Sequence, residues 1–173
     1  NFMDNGVNYV SPTFFGVTIS GTYVGDDTAS GPTANTSSGD SAAAVEWKGF
    51  GAHVIAAMAH NNEGNNDVDN VKLGARYDFA GFGVMAQLEN TQNDANTTDT
   101  DTTFVGLQGK FGPVTAALQV GKQEPMTGAD TDYAALGAFY NFSKTFSAFG
   151  GYRTSETGSA EQKVLSVGLR KVF

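Results

Sequence analysis

The feature that most constrains this chain is an alternation of apolar and polar residues with period two, broken at regular intervals by Phe/Gly corners. Val17, Ile19 and Tyr23 alternate with Thr18, Ser20 and Thr22. Val71, Leu73, Ala75 and Tyr77 alternate with Lys72, Gly74, Arg76 and Asp78, and Val105, Leu107 and Phe111 with Gly106, Gln108 and Lys110. A helix would repeat its apolar positions three and four residues apart. Successive strand side chains point to opposite faces, so each segment predicts a strand with one greasy face and one wet face.

Two kinds of connection take turns between these segments. The short kind is a corner: Phe14-Phe15-Gly16, Gly49-Phe50-Gly51, Phe79-Ala80-Gly81-Phe82-Gly83, Phe111-Gly112-Pro113 and Phe142-Ser143-Lys144. Positions 16, 51, 83, 112 and 144 lie 35, 32, 29 and 32 residues apart. Each step accommodates two strands of roughly ten residues, a tight turn and a longer loop. The long kind, at 25–42, 60–69, 91–102, 122–130 and 155–162, is rich in Asn, Asp, Thr, Ser and Gly and predicts loops. The Ala-rich stretch 41–59 has helical composition, but Gly49 and Gly51 interrupt it and Val45 and Trp47 alternate with Glu46 and Lys48. It reads as two strands around a corner. Five corners give ten strands, and 163–173 supplies an eleventh.

A sheet of this kind must hide its greasy face from water. The longest unbroken apolar run, Val54 to Ala59, is six residues, against about 20 for a membrane helix. Short turns on one edge and long acidic loops on the other instead match a barrel crossing a bilayer, whose closed ring satisfies every backbone group in lipid. Tyr9, Trp47, Tyr77, Phe111, Tyr140 and Phe173 gather near the short-turn edge, where amphipathic rings would sit at headgroup level. The expected fold is therefore all-β, a transmembrane antiparallel up-and-down β-barrel with about eleven strands visible. An odd number leaves an antiparallel ring with one parallel seam, so N-terminal strands are expected to be missing from this sequence, unless the strand count is off by one or the ring closes between chains.

Charge and residue types then exclude several functions. Net charge is −8, which argues against a nucleic-acid partner. There is no Cys, hence no disulfide framework or thiolate metal site. His53 and His60 belong to no triad or H-E-x-x-H pattern, and neither a G-x-S-x-G nor a phosphate-binding loop occurs, so no enzyme is expected. No cofactor is expected. The pairs Asp67/Asp69, Asp99/Asp101 and Asp130/Asp132 lack the Gly and distal Glu of a calcium loop and read as solvated charge, with divalent bridging to lipopolysaccharide as a lesser reading.

Parity within each strand sorts the charges. The wet set, the expected pore lining, is Glu46, Lys48, Lys72, Arg76, Asp78, Glu89, Lys110, Arg153 and Arg170, joined by Gln87, Gln108 and Gln119. That is six basic against three acidic residues, opposite in sign to the whole chain. Most acids fall in the loops: Asp26, Asp27, Asp40, Glu63, Asp67, Asp69, Asp94, Asp99, Asp101, Asp130 and Asp132. Fixed cations on a pore wall bias it toward anions, so a mild anion preference is expected.

These residues resemble the general porins of Gram-negative outer membranes. Asp4-Asn5-Gly6-Val7-Asn8-Tyr9-Val10-Ser11-Pro12-Thr13-Phe14-Phe15-Gly16 is similar to the strand and turn that follow the constriction loop in that family. Tyr140-Asn141-Phe142-Ser143-Lys144-Thr145 resembles its penultimate turn, and Val167-Gly168-Leu169-Arg170-Lys171-Val172-Phe173 its last strand with terminal Phe. The resemblance implies that residues 1–173 are a single domain, the C-terminal two-thirds of a sixteen-stranded barrel whose constriction loop lies upstream. It implies a homotrimer in the bacterial outer membrane, in contact with the lipid bilayer and lipopolysaccharide, passing small hydrophilic solutes and ions by diffusion. Leu165, Val167, Leu169 and Phe173 match the signal read by the barrel-assembly machinery; Lys171 departs from it, since an aromatic residue or His is usual there. Two other readings stay open on the residues alone: a non-conducting structural or adhesive barrel with partner-binding loops, and a soluble β-sandwich.

Overall fold

The computed structural model describes residues 6–25, 39–62, 67–95 and 97–172. They form one antiparallel sheet of eleven strands, each paired with its neighbours in sequence. The strands are β1 Gly6–Val10, β2 Val17–Val24, β3 Asp40–Gly49, β4 Ala52–Asn61, β5 Val68–Phe79 and β6 Phe82–Asn93, followed by β7 Asp99–Phe111, β8 Val114–Pro125, β9 Thr131–Asn141, β10 Phe146–Thr157 and β11 Ala160–Lys171. β1 and β11 each have one neighbour, so the sheet does not close on itself. The stretch 41–59 forms two strands around Phe50-Gly51, as its alternation predicts.

The corners are tight because of their backbone. In Phe15-Gly16, Phe50-Gly51 and Ala80-Gly81 both central residues have positive φ, between 49° and 85°. This is the type I′ turn, whose twist matches that of the strands it joins. Holding a side-chain-bearing residue in the left-handed region costs about 1–2 kcal/mol, yet the geometry recurs at three turns. At Phe111-Gly112-Pro113-Val114 glycine comes first with φ 58° and proline follows, the pattern of a type II′ turn. Each short turn is also tied to the hairpin after it: Lys48 N–H donates to Gly16 C=O at 2.8 Å, Asp78 to Gly51 at 2.8 Å and Lys110 to Gly81 at 2.9 Å. A side chain at Gly51 would place its Cβ 2.7 Å from the Asp78 carbonyl oxygen, so this approach requires glycine.

Register connects the faces across strands. Val17, Trp47, Val54, Ala75, Ala86, Val105, Val120 and Ala134 are successive partners. Their face carries Ile19, Val71, Leu73, Leu107, Leu118 and Leu136, each about half exposed. Among the described residues no hydrophobic side chain is buried. Soluble monomers leave apolar patches of only roughly 300–600 Å² uncovered. A continuous apolar face across eleven strands contradicts a soluble sandwich, which would turn these side chains into a shared core.

The opposite edge departs from expectation. β8 runs to Pro125, and β10 and β11 continue to Thr157 and Ala160. The segment 155–162 is thus a two-residue hairpin at Gly158-Ser159, where Gly158 has φ 58°, and not a long loop. Asp40, Asp69, Asp99, Asp101 and Asp132 likewise lie in strands. The polar strand ends are held by side chains as well as the ladder: Thr131 and Thr157 hydroxyls are 2.7 Å apart, and Tyr133 O–H donates to Gln123 Oε1 at 3.0 Å. Asp26, Asp27, Glu63 and Phe173 lie outside the described residues.

Candidate functional site

The face behind the apolar one collects the polar side chains of the strand interiors. Lys48 pairs with His53, His53 with Arg76, and Arg76 with Met85; Lys72 pairs with Glu89; Asp78 pairs with Gly83, and Gly83 with Gln108. Through the same register Glu46, Lys110, Arg153 and Arg170 fall on this face, so all nine charged residues selected by parity share it. Gln87, Gln108 and Gln119 accompany them.

Every carboxylate in the set is neutralised. Glu46 forms an ion pair with Lys48, two residues along the same strand and face, and His53 Nε2 lies 2.8 Å from Glu46 Oε1. Arg76 grips Asp78 in a fork, Nε to Oδ2 at 2.8 Å and Nη2 to Oδ1 at 2.6 Å. Its remaining nitrogen, Nη1, is 3.5 Å from Gln108 Oε1. Lys72 Nζ meets Glu89 Oε2 at 2.9 Å, and Glu89 accepts further bonds from Asn70 at 2.8 Å and Gln87 at 3.1 Å. Such exposed pairs add little stability, so their main consequence is electrostatic: the three cations and three carboxylates of this set on β3–β6 balance.

The remaining cations are different. Among the described residues the side chains of Lys110, Arg153 and Arg170 make no hydrogen bond or ion pair. Six basic less three acidic residues leaves +3, and all of it lies on β7, β10 and β11. The sequence gives the excess; only the pairing shows where it is uncompensated.

On the apolar face Tyr9, Trp47, Tyr77, Phe111 and Tyr140 all lie toward the short-turn edge. Phe82 joins Phe111 edge-to-face, with ring centroids 5.6 Å apart. Toward the other edge this face turns polar: His60 Nδ1 sits 2.8 Å from Asp69 Oδ1, and Asn90 donates to Asp99 at 2.8 Å and Asp101 at 2.9 Å. Lys122 Nζ lies 2.7 Å from both Glu124 and Asp130. The apolar band is thus bounded by rings below and by a hydrogen-bonded charged rim above. Leu165, Val167 and Leu169 of β11 lie on the same face and are strongly exposed.

Parity did not single out two aromatic pairs on the wet face. Phe104 and Tyr133 have centroids 6.0 Å apart, and Phe139 and Phe149 5.5 Å. Phe149 lies two and four residues from Gly151 and Arg153 on one strand, so extending the parity of Arg153 would have found it.

A family profile described as Gram-negative porin matches residues 1–160. No curated protein matches the chain. Several solved structures share the fold. An anion-selective porin from Comamonas acidovorans superposes with a TM-score of 0.87 at 19% identity, covering 98% of this chain and 60% of its own. A triple mutant of the Rhodopseudomonas blastica porin gives 0.73 at 23% identity, covering 99% of this chain and 56% of that one. Outer-membrane expressed OmpT of Vibrio cholerae gives 0.69 at 20% identity, covering 96% and 64%. The chain therefore spans about three-fifths of the length of the solved porins it resembles.

Proposed function

The chain belongs to the Gram-negative porin family, a family of outer-membrane channels and not of enzymes, and on that premise we propose that it forms the larger part of the wall of a passive diffusion pore. One observation carries the reading: a single sheet presents an exposed apolar face bounded by aromatic rings, and behind it a face of charged and amide side chains. Lipid is the medium that suits the first face, and water the second. Hydrophilic solutes would cross with their hydration retained, screened by size and by the sign of the wall, without cofactor or energy input.

Glu46, Lys48, Lys72, Arg76, Asp78, Glu89, Lys110, Arg153 and Arg170 are the proposed pore-lining charges. The uncompensated cations of β7, β10 and β11 favour anions. β1 and β11 run in the same direction and each has a free edge, so an antiparallel ring needs an odd number of further strands between them. We place these residues in a sixteen-stranded barrel that assembles as a homotrimer, with a constriction loop contributed from outside this sequence. The charged rim at His60, Asp69, Asp99 and Lys122 is set to meet lipopolysaccharide headgroups, and Leu165, Val167, Leu169 and Phe173 to present the assembly signal.

Planar-bilayer recording on the purified full-length protein tests the proposal. Stepwise, ohmic KCl conductance is expected. Correctly inserted barrels that stay electrically silent would overturn it in favour of a structural or adhesive barrel.

A further inference from the structure

The wet face should repel apolar side chains, yet Phe139 and Phe149 stand on it with 44% and 36% of their surface exposed. Their rings are tilted 35° to each other, with centroids 5.5 Å apart, forming a small aromatic platform. Part of this has a structural cause. Phe149 lies across Gly168 of β11, where an added Cβ would fall 2.4 Å from its Cζ, so the ring covers otherwise bare backbone. That accounts for one face of one ring. It leaves Phe139, and the side of the pair turned away from the sheet, uncovered.

Two of the three unpaired cations flank this platform. In register, Lys110 pairs with Thr115, Thr115 with Phe139, and Phe139 with Phe149. Lys110 is therefore two strand spacings, about 10 Å, from Phe139. On the other side Phe149 pairs with Gly168, and Arg170 is its diagonal neighbour, at a backbone separation of roughly 7–8 Å. Long cationic side chains span such distances. Arg153 stands four residues along β10 on the same face. The second wet-face pair, Phe104 and Tyr133, has one such neighbour, Arg153, diagonal to Tyr133, and the Tyr133 hydroxyl is already engaged by Gln123.

We infer that the wet face of β7–β11 holds a binding site for small organic carboxylates bearing a flat apolar ring. The ring lies on Phe139 and Phe149, and the carboxylate is held by Lys110 or Arg170. The site rests on the pore reading, since it needs water and solute on this face. An aromatic edge or face contact adds modest affinity beyond its buried area, and a charge-assisted contact adds to it. The combination gives weak, rapidly reversible retention, suited to a solute that must also leave.

The test is block of KCl current through the full-length protein in planar bilayers by benzoate, acetate and benzylammonium, each normalised to the channel's own unblocked conductance. Benzoate is expected to reduce the current saturably at a half-blocking concentration at least tenfold below that of acetate, with benzylammonium inactive. Phe139→Ser with Phe149→Ser, and separately Lys110→Gln with Arg170→Gln, should each raise the benzoate value about fivefold or more. Absence of any channel refutes the pore reading itself. A conducting channel on which benzoate and acetate are indistinguishable, or on which benzylammonium blocks equally, overturns the site while leaving the pore standing; this arm needs no variant. Benzoate block that survives both double substitutions places the site elsewhere and also overturns the assignment.

Discussion

Arginine in place of Val105 is expected to destabilise the folded protein by about 2–4 kcal/mol, the cost of a cation at the bilayer midplane on the lipid face of a barrel. Val105 sits between Ala86 and Val120 on the apolar face. The ten steps from Phe111 at the ring edge back to Asp101 in the charged rim rise about 3.4 Å each, and at a tilt near 40° they cover roughly 25 Å of height. Val105 is near the middle of that span, too deep for an arginine to reach either interface. Gln119→Arg, one strand over on the wet face, is expected to stay within about 1 kcal/mol of the unaltered protein. Urea midpoints in phospholipid vesicles, read by gel mobility with and without heating, measure both. Equal effects would mean that the two faces meet the same solvent.

The second large effect is on ion preference. Replacing Lys110, Arg153 and Arg170 together by Glu changes the net charge of the nine proposed pore-lining residues from +3 to −3, while their three native carboxylates stay paired with Lys48, Lys72 and Arg76. The reversal potential in a tenfold KCl gradient should change sign, from anion to cation preference. The same triple reversal at Lys48, Lys72 and Arg76 also dismantles every ion pair of β3–β6, so it would confound charge with local structure. The unpaired set gives the cleaner experiment. An unchanged reversal potential would place selectivity control outside this wall.

Much of this architecture is legible in the sequence, for a physical reason. An apolar face backed by a polar one imposes period two along each strand, so the strands, their corners and the nine charges that share the polar face can be found by counting. The signal fades where strands leave the lipid. Thr154 to Thr157 are polar on both faces and carry no alternation, so β10 reads as loop although it pairs with β11 up to a two-residue hairpin. In β9 both faces are apolar, with Ala134, Leu136 and Ala138 on one and Ala135 and Phe139 on the other. Phe139, the β9 member of the wet-face aromatic pair, is hidden for that reason. Which cations lack a partner depends on register between strands, as for Lys72 opposite Glu89, and composition does not encode register.

The claim beneath all of this is that the greasy face touches lipid. Trp47 is the one tryptophan in the chain and lies on that face near the short-turn edge, beside Val17 and Val54. Its fluorescence in vesicles can be challenged with lipids brominated near the headgroup, lipids brominated near the chain ends, and aqueous iodide. The account predicts strong quenching by shallow bromines, weaker quenching by deep ones, and little by iodide. Efficient quenching by iodide with none from either brominated lipid would place that face in water and contradict it.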